Sequence, residues 1–310
     1  MQVCTEDWRN ATVAIIFNPI GGSAKNGTII KLISALEAYG IKVVSLTTTA
    51  EPNSATELAR QAQVSGVRLI IAVGGDGTAD GVAEGIIGTD TPMGIFPGGT
   101  ANLFASHFYG QPTVHDFVEM ILHGEPQPID LMQLDYINCQ GLVKRRYLLV
   151  GIGFGDMTDA ISNADPKIKR RIGQAAYYVG MAKAALRPRN HTYDIASSDR
   201  TFNERGSSLF VLNVPPKQMP LIARGCNAAD GLLDLVVVRS SSFYRLGKMA
   251  ARYVIGSHEQ SHDYFRLRRK ELVIQLDTPA IPNLDGDPGE ATSWMKITAL
   301  KAAVRIVLAA

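Results

Sequence analysis

The sequence predicts an α/β domain on a Rossmann-like parallel sheet, followed by a mostly antiparallel β-sandwich or barrel domain. Two observations predict this. Over the first third of the chain, apolar strand-like runs alternate with helical stretches of about ten residues, the pattern of a parallel sheet covered on both faces. After Pro126-Gln127-Pro128 the pattern changes to short strand-like runs separated by turns, which reads as antiparallel. The boundary is expected near residue 128, giving domains 1–128 and 129–296.

Ala11–Phe17 is the first strand-like run, ending at Asn18-Pro19. A helix is expected over Thr28–Tyr39, stopped by Gly40, then a strand at Ile41–Leu46 and a helix at Ala55–Val64. A buried strand at Arg68–Val73, a helix at Asp80–Ile87 and a strand at Met93–Phe96 complete this series. The second half offers strands at Ile129–Tyr136, Arg146–Gly151, Thr192–Ala196, Ser208–Asn213, Leu232–Val238 and Glu271–Leu276. Helical stretches near Gly173–Leu186 and Phe243–Ile255 interrupt them. No internal repeat or low-complexity segment is visible.

The 310 residues suit two domains better than one. Hydrophobic residues at 46% against 19% charged exclude the disordered class. The three cysteines, Cys4, Cys139 and Cys226, are far apart and not in CxxC spacing. That argues against a disulfide framework or a structural zinc site and for a reducing, cytoplasmic setting. Glu6, Asp7 and Arg9 precede any apolar run, so no secretory leader is read. The longest apolar runs, such as Leu69–Val73 and Leu232–Val238, are strand-sized and far short of the ~20 residues that span a bilayer. A soluble or membrane-peripheral protein is expected. A net charge of +2 gives no pull toward nucleic acid.

Three strand ends run into glycine-rich loops: Asn18-Pro19-Ile20-Gly21-Gly22, Gly74-Gly75-Asp76-Gly77-Thr78, and Pro97-Gly98-Gly99-Thr100-Ala101-Asn102. In open α/β sheets ligands sit beyond the carboxyl ends of the strands. Glycines let the backbone approach phosphate oxygens, and helix starts supply N–H groups to them. Thr78 and Thr100 add hydroxyl donors. Asp76 is an acid inside an anion site, which a phosphate-bridging Mg²⁺ would explain. One such loop would be an ordinary turn; three at successive strand ends favour phosphate binding. No GxxxxGK[ST] occurs, and Gly151–Gly155 lacks a dinucleotide fingerprint.

These motifs resemble the diacylglycerol kinase catalytic family, which includes bacterial lipid kinases and sphingosine kinases. GGDGT at Gly74–Thr78 is the central motif, with NPxxG at Asn18–Gly22 and PxGTxN at Pro97–Asn102 flanking it in order. Thr49 resembles a threonine that family members place near the nucleotide. Asp230-Gly231-Leu232-Leu233-Asp234 resembles DGxLD, and Leu284-Asp285-Gly286-Asp287 resembles the DGE segment. The resemblance implies ATP and Mg²⁺ as cofactors and a lipid hydroxyl as acceptor at a membrane surface. It places the active site in a cleft between the domains, with a C-terminal strand, about 297–310, returning to the first domain. It also implies roles. Asn18, Gly22, Thr49, Gly74, Gly75, Gly77, Thr78, Gly99, Thr100 and Asn102 hold the nucleotide, and Asp76 organises magnesium. Asp285 is the general base with Asp287 assisting, and Asp230 and Asp234 hold a structural cation. GGDGT is shared with NAD kinases, but their NE pair and TPTGSTAY-like stretch are missing here, which favours a lipid acceptor. The chain departs from the family at Gly81, Leu103, Ala229 and Asp287. A kinase of a soluble acceptor such as NAD, or a regulator that has lost catalysis, therefore stands as the alternative, and a homodimer is left open.

Other features weigh less. In extended structure Asp285 and Asp287 would point to one side, about 6–7 Å apart, although Asp-Gly-Asp-Pro-Gly also suits a hairpin turn. His258-Glu259-Gln260-Ser261-His262 matches HExxH, but Gly256 has just ended a helix and a strand-like run begins near Leu272, leaving no room for the helix a zinc site requires. His107, His115 and His123 have no ligand spacing and read as surface or packing residues. Lys167, Lys169, Arg170 and Arg171 precede the apolar run Ala175–Met181, which suits contact with anionic lipid and equally a solvated charged face. Arg266, Arg268, Arg269 and Lys270 form a second basic cluster, for which a charged strand edge is an equal explanation.

Overall fold

A computed structural model describes residues 8, 10–19, 26–99, 101–156, 158, 190–215, 225–239 and 264–309. The helices expected near 173–186 and 243–255, the HExxH stretch and the Lys167–Arg171 cluster lie outside the described residues. The chain divides into two compact units, Met1–Leu131 with Leu300–Ala310, and Met132–Ala299.

The first unit is built on parallel strands β1 (Thr12–Phe17), β2 (Lys42–Thr47), β3 (Leu69–Gly74) and β4 (Met93–Pro97). Their order is β2-β1-β3-β4, and the end of the last strand, β16 (Thr292–Leu308), pairs in parallel with β4 at Ile306 and Met93. Among the described residues five helices accompany them: α1 (Asn26–Glu37), α2 (Ser54–Val64), α3 (Asp76–Gly85), α4 (Leu103–Phe108) and α5 (Val114–His123). Alternate strand residues feed opposite faces. Val13, Ile15, Leu69, Ile71 and Val73 pack with Ile29, Leu32 and Leu36 of α1 and with Phe117, Val118 and Ile121 of α5. Ala14, Ile16, Ile70 and Ala72 are buried on the other face, where α2 and α3 lie on β1 and β3. Central β3 is therefore apolar at every position, as a strand covered on both sides must be.

The α2–α3 pair is unusually close because it is made of small residues. A Cβ on Gly81 would come within 2.8 Å of Ala55 Cβ. A Cβ on Gly85 would come within 2.6 Å of both Ala59 Cβ and the Thr56 carbonyl oxygen. Gly81, a departure from the family pattern, is thus a packing requirement of this chain.

The C-terminal stretch is tied down chemically as well as by pairing. The fully buried Asp130 carboxylate accepts the Ala302 N–H at 2.8 Å, and Tyr109 Oη donates to the Val307 carbonyl at 2.9 Å.

The second unit is antiparallel. In one sheet the first part of β16 pairs with β13 (Glu271–Ala280), which pairs with β8 (His191–Ala196), and that with β9 (Thr201–Gly206). The same sheet carries the hairpin of β5 (Glu125–Asn138) and β6 (Val143–Leu148). The other sheet has the order β12-β11-β10-β7-β14-β15: Tyr264–Arg269, Leu233–Val238, Ser208–Leu212, Gly151–Gly155, Asn283–Leu284 and Asp287–Pro288. One apolar cluster joins them: Leu134, Tyr193, Ile274 and Met295 from the first, Phe154, Leu209, Leu235 and Leu267 from the second. This is the sandwich the turn-separated strands predicted.

The differences from expectation have local causes. Pro126 and Pro128, where the pattern was expected to change, lie inside β5. Helix α3 starts at Asp76, four residues earlier than expected, because Gly75 acts as its N-cap and Asp76-Gly77-Thr78 forms its first turn. Helix α5 was not foreseen, although Thr113 and Asp116 form a capping box at its start. Strand β12 was hidden because arginines occupy alternate positions on one of its faces.

Replacing Gly85 with Ala tests the close α2–α3 packing. Helix propensity alone would stabilise by up to ~1 kcal/mol. The overpacked Cβ should reverse that sign, for a net loss of about 1–3 kcal/mol in urea unfolding. A stabilised variant would show that the two helices separate freely.

Candidate functional site

Parallel register sets the glycine loops side by side. Phe17 pairs with Val73, Val73 with Phe96, and Gly74 with Pro97. Asn18, Gly74 and Gly98 therefore emerge abreast at the carboxyl edge, and the Asn18 N–H donates to the Val73 carbonyl at 3.2 Å. Thr49 leaves β2 at the same edge, since Thr47 is in register with Phe17. It is exposed; its N–H donates to Ser54 Oγ at 3.0 Å and its Oγ1 accepts the Glu51 N–H at 3.2 Å, which shapes the entry to α2.

The second and third loops stack backbone on backbone. The Gly98 N–H donates to the Gly74 carbonyl at 2.8 Å. A Cβ on Gly98 would lie 2.9 Å from Gly74 N, and one on Gly99 only 2.4 Å from Gly75 Cα. Glycine is required here by backbone proximity. Asn102 closes the third loop from a left-handed conformation (φ 47°), which asparagine tolerates. Its Oδ1 accepts the Gly99 N–H and its Nδ2 donates to the Gly99 carbonyl, both at 2.8 Å. Gly22 and Thr100, expected as nucleotide contacts, lie outside the described residues.

Asp76 links the two loops. Its buried carboxylate accepts the Leu103 N–H at 2.9 Å through Oδ2 and the Phe104 N–H at 3.1 Å through Oδ1. Both donors belong to the first turn of α4, whose N–H groups have no partner inside their own helix. The sequence argument left a cation as the explanation for this carboxylate; the start of α4 supplies another. Leu103, a departure from the family, takes part through its backbone and so tolerates the change of side chain. Gly77 is exposed in the first turn of α3, and Thr78 folds back over Gly74, where a Cβ would lie 2.6 Å from its Oγ1.

Asp285 occupies a different setting, in the second unit. Leu284 pairs with Asp287, so Asp285-Gly286 is a two-residue hairpin loop, with φ +49° and +103°. Positive φ at both positions is the turn that matches strand twist. The Asp285 carboxylate is buried and accepts three backbone N–H groups, from Leu149 and Val150 at 2.9 Å each and from Gly151 at 2.5 Å. The Asp285 N–H donates back to the Gly151 carbonyl at 3.1 Å, and Asn213 Nδ2 donates to the Leu149 carbonyl at 2.9 Å. Asp285 thus clamps the entrance of β7. Asp287 is exposed on β15. The expectation that the two carboxylates share one side of an extended segment is corrected: the tight turn separates a buried one from an exposed one. Asn213 was missed by sequence reading because nothing local distinguishes it; its role depends on long-range pairing.

Asp230 and Asp234, expected to hold a structural cation, meet arginines in this structure. Asp234 is fully buried. Arg266 Nε donates to its Oδ1 at 3.0 Å and Arg266 Nη2 to the same oxygen. Arg268, directly opposite Asp234 in register, lies 3.3 Å from Oδ1 through Nε and bonds Asp230 through Nη2. Asp230 further accepts the Leu232 N–H at 3.0 Å. Two guanidinium groups thus sit beside the two carboxylates. Cys226 lies next to this group; burial pushes its thiol pKa up, and the Asp234 charge adds to the shift. The arginines of the second basic cluster are therefore all paired with acids, since Arg269 lies 3.0 Å from Asp199.

Among the described residues no group of three or more His, Cys, Asp or Glu side chains could hold a metal ion. Mg²⁺ arriving with a nucleotide needs no such cage, because one or two carboxylates with phosphates and water suffice. Asp76 supplies such a carboxylate where the second and third glycine loops meet. His107 and His123 fall in the last turns of α4 and α5, and His123 faces Glu119 at 3.4 Å on the surface. No helix among the described residues is long and apolar enough to cross a membrane.

Comparison with known proteins agrees with the motifs. The family model of the diacylglycerol kinase catalytic domain matches residues 12–134. A Bacillus subtilis diacylglycerol kinase is 26% identical over 283 residues, covering 89% of each chain. A Mycobacterium tuberculosis diacylglycerol kinase is 25% identical over 284 residues, covering 89% of this chain and 88% of its own. A crystal structure of a Bacillus anthracis diacylglycerol kinase superposes with a TM-score of 0.73 at 20% identity, covering 96% of each chain, which shows the shared fold.

The arginine–aspartate group makes a direct prediction. Arg266 supplies two of the bonds to buried Asp234 while Arg268 stays beside it, so Arg266→Gln should cost about 1–3 kcal/mol in urea unfolding. A chelator should leave the thermal midpoint of the parent protein unchanged. A midpoint lowered by chelator and restored by Mg²⁺ would return a cation to Asp230 and Asp234.

Proposed function

We propose that this diacylglycerol-kinase-like chain transfers the γ-phosphoryl group of ATP to a hydroxyl of a diacylglycerol-like lipid. The observation that carries the reading is the glycine stack of Gly74-Gly75 on Gly98-Gly99, braced by Asp76 and Asn102. Backbone held this close at a sheet's carboxyl edge offers N–H groups to phosphate oxygens without side chains in the way. Phosphoryl transfer asks mainly for such positioning and for charge neutralisation. Bound Mg²⁺ would supply neutralisation of the phosphate charge, with Asp76 and Thr78 as the residues on hand to hold it. The names of the relatives favour a lipid acceptor.

The acceptor proton is assigned to Asp285. Three backbone N–H groups fix the carboxylate in one orientation, as a base positioned for a hydroxyl requires. Exposed Asp287 assists. Asp285 thus has two duties, positioning β7 and accepting a proton.

Labelled ATP offered with a panel of lipids in mixed micelles, and separately with NAD, tests the reading. Transfer to a lipid is expected. Transfer to NAD alone would replace it with a soluble-acceptor kinase, and ATP binding without any transfer would mark a regulator that has lost catalysis.

Asp285→Asn separates the two duties. Its unfolding midpoint should fall, because an amide cannot satisfy the three N–H groups as a carboxylate does. At temperatures where it stays folded, turnover should drop by about 10²–10⁴-fold with ATP affinity nearly unchanged. Parent-like turnover in the folded variant would leave Asp285 with the positioning duty alone.

A further inference from the structure

The β5–β6 hairpin ends in an exposed apolar tip. Leu142 is 51% exposed, Val143 71% and Ile137 37%. Ile137 and Val143 sit directly opposite each other in the ladder. The tip is rigid. Asn138 is buried, its Oδ1 accepts the N–H groups of Gln140 at 3.1 Å and Leu142 at 3.0 Å, and its Nδ2 donates to Glu290 at 2.9 Å. Glu290 also accepts Tyr136 Oη at 3.3 Å. An apolar side chain displayed on so well-held a turn loses little freedom on being buried against something else.

Charge says what that partner is. Immediately behind the tip come Lys144, Arg145 and Arg146, all exposed, with no acid between Tyr136 and Leu148. Arg145 is neutralised by Asp135 at 2.6 Å. Lys144 and Arg146 share the strand face of buried Leu148 and lie opposite Tyr136 and Leu134, yet both are exposed. At about 3.3 Å per residue, these cations sit roughly 3–10 Å behind the apolar tip. A bilayer interface has the same order, acyl boundary first and anionic phosphates a few ångströms out.

We propose that the hairpin tip of Ile137, Leu142 and Val143, backed by Lys144 and Arg146, docks this protein on an anionic lipid surface. This rests on the lipid-kinase reading for its purpose, not for its chemistry. A second copy of the chain fits less well, because a two-fold contact would set Lys144 and Arg146 against the same cations.

Sedimentation with vesicles of phosphatidylcholine containing about a third phosphatidylglycerol, without ATP or acceptor lipid, tests the docking. The parent should sediment at low salt. Leu142→Ser with Val143→Ser should lower partitioning about tenfold or more. Lys144→Ser with Arg146→Ser should lower it about ten- to thirtyfold and remove most of its salt dependence. All these side chains are exposed, so melting midpoints should match the parent. A parent that stays in the supernatant, or a Leu142/Val143 variant that sediments like the parent, overturns the proposal. So does a variant whose mass by light scattering falls from dimer to monomer, which would give the tip to a second copy. Vesicle binding lost in both variants upholds the docking even if no lipid is phosphorylated, a failure that would count against the kinase reading alone.

Discussion

The first unit depends on how close two backbones can come. Gly74-Gly75 and Gly98-Gly99 lie so near that a single methyl at residue 99 would overlap Gly75 Cα at 2.4 Å. This proximity brings α3 and α4 together, and only then can the Asp76 carboxylate reach the first N–H groups of α4. The carboxylate would be costly to bury alone; with two N–H donors at a helix start it becomes a brace. Strand order, register and loop chemistry thus converge on one edge of the sheet.

Most of the fold was legible because its signals are local. Leu69–Val73 could only be a strand covered on both faces, and its neighbours followed by alternation. The errors fall where the deciding interaction is distant or masks the pattern. Arg266 and Arg268 made β12 look like a charged surface run, but their partners Asp230 and Asp234 lie more than thirty residues away in sequence. Pro126 and Pro128 looked like a domain boundary because prolines are usually excluded from ladders, yet they begin a long strand.

The site was legible as a set of motifs but less so as chemistry. Gly74, Gly75, Gly99 and Asn102 were singled out for phosphate contact, and the structure adds that they also hold one another. Asp76, Asp285, Asp230 and Asp234 were all read as acids awaiting cations or protons. Each has found hydrogen-bond donors within the protein: the start of a helix, a row of strand N–H groups, and two guanidiniums. Residue type announces a charge, but only tertiary pairing says what balances it.

The strand that completes the first unit carries a consequence for biosynthesis. Residues Leu300–Leu308 supply the neighbour of β4 and the partners of Asp130 and Tyr109. A ribosome delivers them after the whole second unit. The nascent first unit must therefore wait with the edge of β4 unpaired and the Asp130 carboxylate short of its Ala302 donor, while the other unit is made and can fold. An open strand edge is a template for pairing with other chains, so the interval before the last residues emerge is when this protein is most exposed to misassembly and most in need of a chaperone.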